Sequence, residues 1–385
     1  MAFPLRPAQA GSQLTVLNLA GAVLWHVPGS FGMARILGPS YSLRSVLFHH
    51  VSDTESPFTK GLGCTITRKN FESALVFLKR YYDPVSLQDV LATFDGHRLP
   101  PRPVLVTFDD AYASVREVAA PLCMKYGVPA VFFVNAACLG NRQLALDNLI
   151  CYVADLFGLN RINDAVRSVT TWENFRIQSL ADVFHRFLPF ISLAARRGFR
   201  DALVKIARVS ETDLAARANL YLSREQLRDL ASLNFEIGNH TYTHVHGRVL
   251  STAEFADEID GNRAALEAAS ATKVRSFSVP YGSSADLAPE LLNHLQRSGY
   301  EAIFLAEACT NSPHTDRTLL NRVSVRTGTN AVLFSEIEVL PRLRTVRNRI
   351  IATWDSPTYQ KDLLAKTMLG SHSTFAAVPS VKKSQ

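Results

Sequence analysis

The sequence predicts an α/β fold in which short buried strands alternate with helices, close into a barrel and are interrupted by a helical insertion. Two observations carry this. Apolar runs such as Ser45–His49 (SVLFH), Val104–Phe108 (VLVTF) and Pro129–Asn135 (PAVFFVN) have the length and β-branched or aromatic content of strands buried on both faces. Helical patterns follow these runs, and the alternation repeats far along the chain, which favours a barrel over a sandwich.

In chain order, Ser45–His49 is the first strand and ends in His49 and His50 before the polar turn Ser52-Asp53-Thr54. Thr67 then caps a helix whose apolar positions Phe71, Leu75, Phe77, Leu78 and Tyr81 have helical spacing. Ser86–Phe94 is a second, shorter helix, and Pro100, Pro101 and Pro103 break the chain before the strand that ends at Phe108. Val115, Val118, Ala119, Leu122 and Tyr126 define a helix stopped by Gly127. Pro129–Asn135 follows as a strand in right-handed parallel connection with the one before it. From about residue 141 to 217 the pattern is helical with few strand-like runs. An insertion at the catalytic end of a barrel carries specificity or is a plain packing layer, and the sequence leaves both open. Ser223 and Gln226 make a capping box, and Phe235–Gly238 is a short strand released into a loop with His240 and His244. Helix Thr252–Ala269, strand Val274–Val279, turn Pro280–Gly282, helix Ala288–Ser298 and strand Glu301–Leu305 complete the alternation. Past Thr327 the pattern weakens, and the tail from Ser371 has the composition of a disordered segment.

The chain has 385 residues, 47% of them hydrophobic, enough for one large domain with an insertion or for two modest domains. The alternation divides it into an N-terminal helical segment (1–44), a barrel (45–330, with the insertion at about 141–217) and a C-terminal helical extension with its tail (331–385). The net charge of +7 is mild and is concentrated only at Arg342, Arg344, Arg347 and Arg349. A solvated helix face explains that cluster better than contact with a polyanion or anionic lipid. No nucleic-acid partner is expected. Five cysteines with neither CxxC spacing nor a regular framework predict reduced, mostly buried thiols. Leu14–Val27 is apolar but interrupted by Asn18 and His26, and it is too short to span a bilayer. With only Arg6 before it as a basic side chain, it makes a poor signal peptide and reads as a helix packed on the domain or on a membrane surface. Thiols and N-terminus together favour the cytoplasm, with export or peripheral membrane association as the alternative; oligomeric state is not legible.

Two features stand apart from this scaffold. The strand ending at Phe108 delivers Asp109 and Asp110 side by side, at the strand end where α/β folds place their chemistry. Adjacent half-buried carboxylates repel unless a cation lies between them; the alternative is that Asp110 caps a helix starting near Ala111. His240 and His244 are four apart, so on a helical turn both imidazoles project to one side and can grip one metal. Each feature is weak alone. Together they supply two nitrogens and one carboxylate oxygen, the ligand count of a catalytic zinc site with an open position. Asp110 then binds the metal, and Asp109 takes a proton from the attacking water.

TFDD at Thr107–Asp110, HTYTH at His240–His244 and PYG at Pro280–Gly282 resemble the successive motifs of the polysaccharide deacetylases of carbohydrate esterase family 4, the nodulation-deacetylase homology family. The similarity runs from about Val46 to Val325, apart from the insertion. It implies a distorted (β/α) barrel of seven or eight strands, a divalent metal that is usually zinc, and hydrolysis of N- or O-acetyl groups on sugars. By position it implies Asp109 as general base, Asp110, His240 and His244 as metal ligands, and the backbone amide of Tyr281 as a partner of the oxyanion.

Three departures from the family pattern matter. Ala111 stands where most members have glycine, and a small residue suffices there unless the position requires φ > 0. Ser278 stands where an arginine usually opens the PYG-containing motif, so the cation that orients the base is missing from that strand. Arg322, in the strand-like LNRVSV, is the candidate replacement. The C-terminal Leu-x-His motif that usually holds the general acid is absent, but Leu47-Phe48-His49 has its pattern. This arrangement resembles the circularly permuted branch of the family, which acts on exported biofilm polysaccharides such as poly-N-acetylglucosamine. First and last strands of a closed barrel are neighbours, so His49 can occupy the same place in space. An imidazole, with an unperturbed pKa of about 6.5, suits protonation of a leaving amine. His50 is assigned to packing or an outer contact, and the remaining histidines, including His246, have no spacing that requires a role.

The resemblance therefore implies metal-dependent deacetylation of an acetylated glycan, N-acetyl before O-acetyl. Two other readings stay open, a carbohydrate-binding protein that has lost activity on the same barrel and an amide hydrolase with a non-sugar substrate. The intact set of base, three ligands and acid argues against the first, and nothing in the sequence separates the second.

Overall fold

The computed structural model describes residues 23, 25–27, 42–172, 175–311 and 319–354. The helix expected at Leu14–Val27 lies mostly outside them, and the tail from Ser371 wholly so. Trp25, within them, packs its ring against Phe77, Tyr81 and Phe334 at centroid distances of 5.8, 5.6 and 5.6 Å.

Among the described residues the barrel is built from β1 Arg44–Phe48, β2 Pro103–Phe108, β3 Ala130–Val134, β4 Glu236–Asn239, β5 Ser276–Ser278, β6 Ala302–Leu305, β7 Leu319–Asn321 and β8 Val323–Ser324. Their lateral order is β7-β6-β5-β4-β3-β2-β1-β8, all parallel. The two-residue strand Asp83–Pro84 also pairs with β2. β7 and β8 are consecutive in sequence yet sit at the two ends of this order. Leu320 of β7 lies opposite Phe304, and Val323 of β8 lies opposite Val46. The run LNRVSV, read as strand-like from its pattern, is therefore two short strands broken at Arg322, and it closes the ring. β1 and β2 stay in register from Arg44 opposite Val104 to Phe48 opposite Phe108, so His49 and Asp109 emerge beside each other.

Each strand sends alternate residues to opposite sides. Val104, Val106, Phe108, Phe132 and Ile237 join the main core against the helices. Leu105, Val131, Phe133, Ala302, Phe304 and Leu320 form a second cluster, which fills the barrel. Gly238 is needed for that filling, because a Cβ there would lie 2.3 Å from Cδ1 of Phe133. Toward the C-terminal ends of the strands the buried residues turn polar, with Thr107, Asp109, Ser278 and Arg322 all below 4% exposed.

Helix Arg68–Tyr81 starts at Thr67, whose side chain accepts from the Asn70 N–H, and it buries Phe71, Ala74, Leu75, Phe77 and Leu78. Ala120–Tyr126 ends at Gly127 with φ 60°, and Arg224–Ser232 opens with the Ser223–Gln226 capping box. The insertion folds into helices that include Leu146–Phe157, Leu159–Arg167, Leu193–Ala207 and Glu211–Ala218. Past Thr327 the chain is helical, running through Asn330–Phe334 and Ser335–Val339 into Leu340–Trp354. A second unit of the chain begins at Arg342 and is described as far as Trp354, and Arg342, Arg344, Arg347 and Arg349 lie on its helix. No described helix is long and apolar enough to cross a membrane, and no disulfide joins any of the five cysteines.

Candidate active site

Beyond Phe108 the chain turns sharply. Asp110 and Ala111 take φ of 76° and 59°, in the left-handed region that costs a non-glycine residue about 1–2 kcal/mol. Ala111 thus falls where φ > 0 is required, so small size alone does not relieve it. The turn is held by Ala113 N donating to Leu220 O at 2.7 Å and by Leu222 N donating to Ala111 O at 2.9 Å. Asp110 caps no helix, since the helical turn that follows begins near Val115, and Asp110 lines the cleft instead.

His240 and His244 follow β4 on an irregular loop, which corrects the expected helical turn. Thr241 and His244 have φ of 59° and 55°. Side chains rather than helical hydrogen bonds hold this loop. Asn135 Nδ2 donates to the carbonyls of His240 and Thr241, Thr241 N donates to Asn239 Oδ1 at 2.9 Å, and Thr243 N donates to Glu258 Oε2 at 2.9 Å. The loop sets the two imidazole centroids 4.9 Å apart. Each Nε2 lies 3.4 Å from Oδ1 of Asp110, and the three ligand atoms all fall within 4.8 Å of one another.

This constellation fits a divalent cation on three grounds. Among the described residues, Asp110 Oδ1 is buried without a hydrogen-bond partner, a costly state for a carboxylate unless a cation answers it. Nδ1 of His240 lies 2.8 Å from the Ser278 carbonyl oxygen, and Nδ1 of His244 lies 2.6 Å from Oδ2 of Asp147. Carbonyl and carboxylate oxygens only accept, so both Nδ1 atoms carry the proton and both Nε2 lone pairs are left free to ligate. Ligand atoms about 2.0–2.1 Å from a tetrahedral zinc ion stand roughly 3.3 Å apart, close to the 3.4 Å found here. Burial opposes the charge on Asp110, but His244, His240 and His49 outweigh it and hold the carboxyl below the usual carboxylate range.

Asp109 is held apart from that set. Arg322, 0% exposed, donates Nη1 to Oδ1 and Nη2 to Oδ2 of Asp109, both at 2.8 Å, a bidentate pair. Its Nη2 also donates to Ser278 Oγ at 2.7 Å and its Nε to the Leu305 carbonyl at 3.1 Å. Ser278 in turn donates to Asp109 Oδ2 at 3.2 Å. The cation that β5 lacks therefore reaches Asp109 from the closing seam, and the serine hydroxyl joins the pair. Burial opposes ionisation of Asp109, yet Arg322 and His240 hold its carboxyl below the ordinary value, so it is charged at neutral pH.

His49 lines the same cleft, and burial lowers its pKa more than Asp110 and Asp109 raise it. His50 is engaged elsewhere, with Nδ1 3.1 Å from Thr65 Oγ1 and its ring 4.9 Å from that of Tyr112. Tyr281 sits at φ 61°, its N–H without a hydrogen bond among the described residues, and its hydroxyl donates to Asp147 Oδ1 at 2.8 Å. Gly282, at φ 69°, completes the turn where a Cβ would lie 2.4 Å from the Ala306 nitrogen. Sequence reasoning missed Asp147 and His246. Asp147 looks like any acid in the first turn of an insertion helix. His246 stacks on Tyr281 at 3.6 Å with 7° between the rings, and its Nδ1 lies 3.1 Å from Asp286 Oδ1. Its place two residues beyond His244 was the available signal.

A family model described as polysaccharide deacetylase matches residues 200–303, a segment that contains His240, His244 and Tyr281 and lies beyond Asp109 and Asp110. No curated protein matches the chain. Among solved structures, the Streptococcus pyogenes deacetylase PplD in complex with acetate is similar over 78% of this chain and 100% of that chain, at 13% identity and a TM-score of 0.51. IcaB from Ammonifex degensii is similar over 78% of this chain and 98% of that chain, at 19% identity and a TM-score of 0.51. At these identities the likeness is one of fold.

Proposed function

We propose that the chain is a polysaccharide deacetylase, as the family-model match over residues 200–303 supports, and that it is a metal-dependent hydrolase that removes acetyl groups, N-acetyl first among them, from a polysaccharide or oligosaccharide. One observation carries the proposal. At a single barrel rim, the ligand set Asp110, His240 and His244 stands beside a separate carboxylate, Asp109, kept charged by Arg322. A protein that only held sugar has no need of a buried charged base next to metal ligands.

Asp110, His240 and His244 would hold a divalent cation, zinc in this reading, which would supply Lewis-acid polarisation of the acetyl carbonyl and a lowered pKa for water. Asp109 accepts the proton of the attacking water, its charge and direction set by the bidentate pair with Arg322. The N–H of Tyr281, without a hydrogen bond among the described residues, donates to the oxyanion that forms on the acetyl oxygen. His49, emerging beside Asp109 from the neighbouring strand, gives a proton to the leaving nitrogen or oxygen.

The test is acetate release from acetylated chito-oligosaccharides by the zinc-loaded protein, with O-acetylated glycans in parallel. Release that stops on chelation and returns with zinc is expected. Bound metal with no release from any acetylated glycan would favour the binding protein. His49→Gln should lower kcat by about 10²–10⁴-fold at unchanged metal content; activity within twofold of wild type would remove His49 from the reaction.

A further inference from the structure

The insertion reaches the metal centre through one helical turn. Helix Leu146–Phe157 opens with Leu146, Asp147 and Asn148, all buried. Asp147 accepts from His244 Nδ1 on one oxygen at 2.6 Å and from the Tyr281 hydroxyl on the other at 2.8 Å. A single carboxylate therefore bridges the loop after β4 and the loop after β5. The next residue, Asn148, donates to the Tyr112 hydroxyl at 3.0 Å, two residues beyond Asp110, and accepts from the hydroxyl of Tyr221. Tyr112 and Tyr221 are themselves bridged as a backbone pair, which ties the exit of the insertion to the turn that carries Asp110. A second insertion helix, Leu193–Ala207, adds Arg196, whose Nη2 donates to the His244 carbonyl at 2.7 Å. Thus all three motif loops are fastened to two adjacent residues of one turn.

We propose that this turn is a clamp that assembles the metal centre, with Asp147 as its positioning residue. Asp147 holds His244 as the Nδ1–H tautomer and sets the distance between that ligand and the Tyr281 amide. Burial opposes the charge of Asp147, but His244, Arg196 and the hydrogen bonds it accepts outweigh burial. A carboxylate acceptor on the far nitrogen raises the basicity of the ligating one, and loss of such a partner weakens metal affinity by about 10–100-fold. The clamp rests on the metal reading of Asp110, His240 and His244. It gives the insertion a task that neither a specificity layer nor a packing layer would have.

The experiment is zinc titration of the full chain as wild type, Asp147→Asn and Tyr281→Phe, on preparations whose far-UV circular dichroism matches wild type. The absorption spectrum of the cobalt-substituted protein is recorded alongside. Asp147→Asn should bind zinc at least tenfold more weakly and shift the cobalt bands, while Tyr281→Phe, which leaves the His244 bond intact, should bind within about threefold of wild type. Equal zinc affinity in wild type and Asp147→Asn overturns the clamp, and so does an equal loss in both variants. Should Asp147→Asn fail to fold, nitrogen-15 imidazole spectra of the wild type decide: the Nδ1–H tautomer at His244 supports the clamp, and the Nε2–H tautomer overturns it. If the wild type itself takes up no zinc, the metal reading fails, and the His244 tautomer still reports on the clamp.

Discussion

Asp109→Asn is expected to keep its zinc and lose turnover by about 10²–10⁴-fold, whereas Asp110→Asn should lose the zinc and with it all turnover. The two carboxylates are neighbours in sequence but not in environment. Oδ1 of Asp110 lies 3.4 Å from both imidazole Nε2 atoms and has no hydrogen-bond partner among the described residues. Both oxygens of Asp109 are engaged by Arg322, and the nearer imidazole, His240, stands off at 3.7 Å. Metal content after dialysis, with acetate release measured on the same samples, separates the variants. The division of roles collapses if Asp109→Asn is the one that empties of zinc.

The largest effect on the fold is expected at Arg322. Removing one partner of a buried ion pair strands the other, which costs about 3–5 kcal/mol. Arg322→Ala also leaves a void beside the rings of Phe133 and Phe304, which lie 5.3 and 5.7 Å from its guanidinium carbon. The pH dependence of activity should move as well. With Arg322 present, the Asp109 pKa is below its ordinary value despite burial. Without it, only His240 and His49 are left to oppose burial and the pKa rises, so the base stays protonated to higher pH and the acidic limb of the pH–rate profile shifts upward. Bound zinc should be retained, because Arg322 touches none of the three ligands. Chemical denaturation and a pH–rate profile check both parts, and in an Asp109→Asn background the stability cost should shrink. Wild-type stability and profile in Arg322→Ala would refute the assignment. Arg322→Lys should rescue neither fully, since an ammonium cannot make the two parallel bonds of the guanidinium.

Much of this barrel was legible because its signals are local. Thr67, Ser223 with Gln226, and Gly127 mark helix ends through hydrogen bonds or backbone angles that span a few residues. The strands announce themselves by apolar runs, and Asp109, Asp110, His240 and His244 stand out as chemistry at strand ends. The conformation of the histidine loop was not legible. Spacing of four suits a helical turn, but here Asn135, Asn239 and Glu258 compete for the loop's backbone and impose positive φ at Thr241 and His244. Likewise the φ of 59° at Ala111 is set by Leu222 and its neighbours from the far side of the insertion, and an alanine carries no local mark of it.

By itself, then, the sequence determined the α/β alternation, the strand ends and which residue types arrive there, because each depends on contacts within a turn or a strand. It also marked Arg322 as the cation available to replace the one missing at Ser278. Only the tertiary structure decided how the ring closes at Arg322, that its guanidinium spans the barrel to Asp109, and that Asp147 joins His244 to Tyr281. Those contacts link residues 213, 97 and 134 positions apart. A bond across such separations depends on where the barrel and the insertion bring two segments together, and no periodicity along the chain encodes that meeting.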